Sequence, residues 1–146
     1  MRNIKKILLI CFLASRIFFC DSAFANDLEY KIKAVLTLKI MSYIQWPDSA
    51  FDSSDSIFRV GVSGSEEVLA VFKSLEGKEI NNRRIKVEQI KNLNELKSFN
   101  SIFISKHSYP EWKEILVHLN GSNTLTFGEM DSFTDSGGII NFYSLQ

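Results

Sequence analysis

His107 and His118 are the two histidines of the chain, one in an expected loop and one on an expected helix. Zinc sites use imidazole and thiolate ligands at short, regular spacings. Neither histidine has a cysteine or a second histidine at such a distance, so a metal site would need carboxylates, and ordinary surface histidines are the simpler reading. Gly61-Val62-Ser63-Gly64-Ser65 lies between an expected strand and an expected helix, where a glycine-rich turn could cradle a phosphate. It lacks the Lys-Ser/Thr ending of a P-loop and the third glycine of a dinucleotide fingerprint, and is read as a tight βα turn. Serines are plentiful, but no Gly-x-Ser-x-Gly elbow presents one as a nucleophile. No spacing pairs any two carboxylates, so a hydrolase built on them has no motif behind it. No catalytic, cofactor-binding or metal-binding residue is assigned, and a non-enzymatic protein is expected.

Aromatic residues offer a second kind of chemistry. Phe127, Phe133, Phe142 and Tyr143 crowd the C-terminal strands, and Tyr109 and Trp112 open a later helix; most of these read as core. Trp46 differs, because it closes the first helix beside a Ser/Asp-rich connection, Asp48 to Ser56. Aromatic groups in such places anchor partners or line ligand clefts. Tyr43, Trp46 and Pro47 are therefore the candidate partner-binding residues.

The first 25 residues decide where this chemistry would operate. Arg2, Lys5 and Lys6 precede an apolar run from Ile7 to Leu13, and Ala23-Phe24-Ala25 has the small-x-small form of a signal-peptidase site. Ile7 to Phe19 is too short to cross ~30 Å of hydrocarbon as a helix, and Arg16 interrupts it. Bulky Phe19 argues against lipid attachment at Cys20. Cleavage after Ala25 and a periplasmic location are expected, with one domain over residues 26–146. Nucleotide and nicotinamide chemistry is thereby disfavoured. Of 17 basic and 17 acidic residues, the leader removes four and one, leaving 13 and 16. A net charge of −3 argues against nucleic-acid binding. Cys11 and Cys20 are both in the leader, so the processed chain has no thiol or disulfide chemistry.

The elements that would position these residues alternate. A helix is expected from Leu28 to Ile44, capped by Asn26 and Asp27 and stopped by Pro47. Its apolar residues (Leu28, Ile32, Val35, Leu36, Ile40, Met41, Tyr43, Ile44) spread widely enough to suggest burial on a sheet or at an interface, with Lys31, Lys33 and Lys39 facing solvent. Strands are expected over 57–62, 101–104, 124–127 and 138–142, and residues 78–87 read as a small hairpin turning at Asn81-Asn82 or as one strand with a kink there. Short helices are expected at Glu66–Ser74 and Leu93–Lys97, a helical turn at Glu129–Thr134, and a helix opened by a Ser108–Glu111 capping box with Pro110 in its first turn. This helix carries Trp112, Ile115, Leu116 and Leu119 on one face. The pattern implies an α/β fold: a three-layer sandwich with a mostly parallel sheet.

Several of these segments, taken in order, resemble the YfiR family of exported bacterial regulators. They are Glu29 to Ala34 with Tyr43-Ile44-Gln45-Trp46-Pro47, Arg59 to Gly64, Leu75-Glu76-Gly77-Lys78 running into Arg83 to Val87, Ser101 to Ser105, and Leu125 to Phe133 with Gly137 to Phe142. The resemblance covers nearly the whole of residues 26–146. It implies a periplasmic α/β protein in cyclic-di-GMP signalling that represses a membrane-anchored diguanylate cyclase through the cyclase's periplasmic part, with an outer-membrane lipoprotein relieving repression. It also implies a further strand and helix beyond Gln146, so the chain is expected to be a fragment with lowered stability or a homodimer through an open sheet edge. The best-known members form disulfides, which residues 26–146 cannot. A small-molecule module, with Trp46 stacking on an aromatic or nucleotide-like ligand at the strand C-termini, is the alternative. Export predicts that intact-mass analysis of fractionated cells finds a periplasmic species beginning at Asn26. A main product that retains Met1 in the cytoplasm would contradict it.

Overall fold

The computed structural model describes residues 21–51, 57–108 and 110–143, with the backbone alone for residues 21–26. The side chains of the cleavage motif, most of the Asp48–Ser56 connection and Tyr109 lie outside the described residues. Helix α1 (Asp21–Tyr43) begins upstream of the expected caps and ends near the expected place. It is followed by β1 (Phe58–Ser63), α2 (Glu66–Phe72), β2 (Glu79–Ile80), β3 (Arg83–Gln89), β4 (Ser101–Ile104), α3 (Trp112–Leu119), β5 (Leu125–Gly128) and β6 (Ile140–Asn141). Single 3-10 turns span Asp48–Ala50 and Lys73–Leu75, and a longer one spans Leu93–Ser98.

Among the described residues, six strands form one sheet in the order β2-β3-β1-β4-β5-β6, parallel except for the β2–β3 hairpin. Asn81 and Asn82 turn that hairpin with φ of 49° and 63°, the left-handed pair that matches strand twist. The chain runs from β1 outward to β3, then back across β1 to β4, β5 and β6. This reversal is the doubly wound topology, with a switch point between β1 and β4. Strand alternation supplies two cores. Phe58, Val60, Val62, Ile85, Val87, Phe103 and Phe127 face α1 and α2. Ile102 and Ile104 face α3 and the Leu93–Ser98 turn, with Phe133 among them. Burial of β4 on both faces explains its unbroken Ser-Ile-Phe-Ile run. The α/β class and three layers are as the sequence implies.

Four local expectations fail for physical reasons. The Ser108 capping box does not form: α3 starts at Trp112 and is capped by Glu111, whose side chain accepts from the Lys113 N–H. Proline disfavours helical backbone at the residue before it, so Pro110 delays the helix instead of opening it. Residues 131–137 form successive turns and no helix, because Ser132 adopts φ 61°. The terminal strand shortens to two residues, and Tyr143 is exposed instead of buried. In α1 the sheet-facing line is Tyr30, Lys33, Ala34, Thr37 and Met41, so Lys33 is buried, not solvent-facing. Leu28, Ile32, Val35, Leu36 and Tyr43 point outward.

The Gly-Gly motif has a steric explanation. Phe133 is fully buried and its ring passes so close to Gly128 and Gly138 that a Cβ at either position would approach it within 3.0 Å. The ring is locked over β5, and Gly138 N–H donates to the Phe133 carbonyl at 2.9 Å. Gly138→Ala should therefore cost about 2 kcal/mol or more in urea unfolding, with part recovered in the Gly138→Ala/Phe133→Leu double variant. Equal stability of Gly138→Ala and the parent would contradict this packing.

Candidate functional site

Helix α1 crosses the sheet from end to end, and each end meets a different kind of contact. At the carboxyl ends of β4 and β5 the contact is ionic. Glu129, the residue after β5, has its side chain 3% exposed, and Lys33 on α1 has its side chain 8% exposed. Lys33 Nζ donates to Glu129 Oε2 at 2.5 Å and to Glu29 Oε1 at 2.5 Å. Glu129 Oε1 accepts from the Tyr30 hydroxyl and from the Lys106 backbone N–H, each at 2.9 Å. One carboxylate thus ties α1 to the ends of two neighbouring strands. The Tyr30 ring packs edge-on against Phe103, with centroids 6.2 Å apart.

The electrostatics follow from this burial. Tyr30 holds its proton well above the ordinary value of 10.0, because burial and the facing Glu129 carboxylate both oppose a phenolate. For Lys33, desolvation lowers the affinity for the proton, but its hydrogen bonds to Glu129 and Glu29 outweigh that and raise it above 10.5. Glu29 and Glu129 do converge, which no spacing in the sequence announced, yet they converge on a lysine. Glu129 spends both oxygens on this clamp. Beside it lies a cleft of about 190 Å³ lined also by Lys106, Asp131, Phe142 and Tyr143.

At the amino ends of the strands the contact is aromatic. Trp46 packs edge-to-face on Phe58, centroids 4.9 Å apart, and its indole N–H donates to the Met41 carbonyl at 3.4 Å. Trp46 is half-buried, while Tyr43 and Pro47 are exposed. Of the three candidate residues, Trp46 therefore holds the turn and Tyr43 and Pro47 form its surface. Trp46 stands at the opposite end from the strand C-termini, so it does not line the crevice in which the small-molecule reading placed it. A larger groove of about 550 Å³ opens at the amino ends, lined by Phe51, Arg59, Lys97, Phe99 and Thr124. There the Arg59 guanidinium lies 4.6 Å from the centre of the Phe99 ring and bonds Glu88 at 2.9 Å. Asn100 accepts from Arg59 N–H and donates to the Ala50 carbonyl, both at 2.8 Å.

The remaining candidates have structural roles. A Cβ at Gly64 would meet Ser105 Oγ at 2.7 Å, so this glycine serves the close approach of the β1 and β4 ends. His107 and His118 are exposed, and His118 Nδ1 lies 2.9 Å from the Glu114 carbonyl oxygen. Among the described residues, no group of three His, Cys, Asp or Glu side chains could hold a metal ion. No helix among them is long and apolar enough to cross a membrane.

Fold and site together define a doubly wound α/β domain with a buried ionic clamp and an outward apolar helix. The chain belongs to the YfiR/HmsC-like family, whose family model matches residues 30–146. That family consists of regulatory rather than catalytic proteins. No curated protein matches the chain.

The clamp makes a pH prediction. Tyr30 and Lys33 both bind their protons more tightly folded than unfolded, so their contribution is complete below about pH 10 and lost as pH rises through the folded values. Urea titrations should show stability falling above about pH 10, and Tyr30→Phe should make that fall shallower. An unchanged alkaline profile in Tyr30→Phe would contradict the assignment.

Proposed function

We propose that the protein is a periplasmic, non-enzymatic regulator that binds the periplasmic part of a membrane-anchored diguanylate cyclase and lowers its output. The observation that carries this reading is the family match across residues 30–146. The charged, apolar and Ala23-Phe24-Ala25 segments of the N-terminus support export with removal of residues 1–25. Relief of repression by an outer-membrane lipoprotein belongs to the same reading. The contact is placed on Tyr43 and Pro47, which stand exposed at the end of α1 while Trp46 anchors the turn to Phe58. An aromatic side chain carried on a rigid helix loses little freedom on binding, the usual character of an interface anchor.

A second reading, a module for a small anionic or aromatic ligand, is favoured by the amino-end groove with Arg59 stacked on Phe99. It would be chosen if a nucleotide-like compound raised the melting temperature and Arg59→Ala removed the effect.

For the regulatory reading, calorimetric titration with the cyclase's purified periplasmic segment should show binding. Tyr43→Ala should weaken it about thirtyfold, the loss of ~2 kcal/mol typical of an anchor, with an unchanged melting curve. Trp46→Ala should lower the melting temperature instead, because it removes the Phe58 contact. Unchanged affinity in Tyr43→Ala would remove this surface, and no binding by the intact protein would remove the function.

A further inference from the structure

The groove at the amino ends of the strands carries an unbalanced set of charges. Arg59 and Lys97 line it, and no carboxylate is among its lining residues. Lys97 is exposed and makes no ion pair among the described residues. Arg59 is held in place on three sides. Its Nε donates to Glu88 at 2.9 Å, one Nη donates to the Ser98 carbonyl at 3.3 Å, and its guanidinium lies over the Phe99 ring. Glu88 offsets part of its charge, but these two bonds leave the second Nη of the fork without a partner among the described residues. A cation oriented before a ligand arrives lowers the ordering cost of binding an acid.

The rest of the lining is rigid and two-way in its hydrogen bonding. Gly121, with φ 72°, turns the chain out of α3, and the Leu125 N–H donates to the Asn100 carbonyl at 2.9 Å. Asn100 fastens the opposite wall through the Ala50 carbonyl. The Ser98 and Thr124 hydroxyls donate to the Glu95 and Phe99 carbonyls, so each keeps an oxygen that accepts. Ser122 Oγ accepts from the Thr124 N–H and keeps a proton to donate. Ligand hydroxyls, which both donate and accept, match such a surface. Aromatic ligands do not, because the rings are already engaged. Phe99 is buried beneath Arg59, and Phe51 meets the Arg83 guanidinium at 3.8 Å and Phe58 at 6.2 Å between centres.

We propose that this groove binds a small hydroxylated anion, a sugar acid or sugar phosphate, with its acid group on Lys97 and Arg59 and its hydroxyls on Ser98, Ser122 and Asn123. The volume of about 550 Å³ suits one such molecule. The site rests on the ligand-binding reading of the groove and narrows it from anionic or aromatic compounds to polyhydroxylated anions. It is independent of the cyclase reading.

Titrations followed by amide chemical shifts, with glucuronate, a glucose monophosphate, glucose, inorganic phosphate and a purine nucleotide as separate probes, test the assignment. Glucuronate or the glucose monophosphate should bind at least about tenfold more tightly than glucose and inorganic phosphate, a difference of ~1.4 kcal/mol, with shifts at Ser98, Ser122 and Asn123. The tighter of the two tells carboxylate from phosphate. Lys97→Gln should weaken that binding at least about fivefold with an unchanged melting curve, because the ammonium is exposed and holds no partner in the fold. Glucose bound as tightly as both sugar anions would overturn the role of the acid group. Inorganic phosphate bound as tightly as both would overturn that of the hydroxyls, and affinity indifferent to Lys97→Gln would overturn the placement. A purine nucleotide bound at least about tenfold more tightly than the glucose monophosphate would overturn the narrowing and leave the broader ligand-binding reading standing. Absence of binding by every probe would overturn both.

Discussion

The rotation of α1 depends on Lys33. An ammonium group on the sheet-facing side of a helix is costly unless it is paired and fully hydrogen-bonded, and Glu129 and Glu29 supply that pairing. Once Lys33 faces inward, helical geometry sends Tyr30, Ala34, Thr37 and Met41 to the sheet as well. The same geometry leaves Leu28, Ile32, Val35, Leu36 and Tyr43 in water. A helix with two apolar sides has more than one way to lie on a sheet. The buried ion pair selects one of them and so determines which surface is left exposed.

The sheet is arranged to receive this clamp. Glu129 follows β5 directly, and the Lys106 N–H lies just beyond β4, so two parallel strands ending side by side provide the carboxylate and one of its donors. Phe133, wedged against Gly128 and Gly138, holds the chain after Glu129 close to the sheet. At the far end of α1, Trp46 on Phe58 prevents the helix from swinging about the ionic contact. Charge fixes one end and aromatic packing the other, and Tyr43 is displayed close to the aromatic end.

Strands were legible in the sequence wherever short apolar runs met turn residues: Ser101 to Ile104 has the expected bounds, and Asn81-Asn82 turns the expected hairpin. Helix ends were less legible, because Ser108 and Glu111 satisfy a capping pattern that Pro110 makes unfavourable. The buried face of α1 was misread because hydrophobicity alone assigns Leu28, Ile32 and Val35 inward and every lysine outward. The signal that could have corrected it is positional: Lys33 shares a helical line with Tyr30, Ala34, Thr37 and Met41. Its partner Glu129 lies 96 residues away, and no local pattern links the two. Tyr43, Trp46 and Pro47 were recognised together, but only the fold separates the anchored indole from its exposed neighbours.

A double-mutant cycle on Lys33→Met and Glu129→Gln, read by urea unfolding at neutral pH, tests most directly whether this pair holds α1 in place. Each single variant strands a buried partner and is expected to cost about 3 kcal/mol or more, while the double variant should cost clearly less than their sum. A coupling energy of about 2 kcal/mol or more is the expected result. Additive losses, within ~0.5 kcal/mol, would contradict it and leave the orientation of the outward face without its cause.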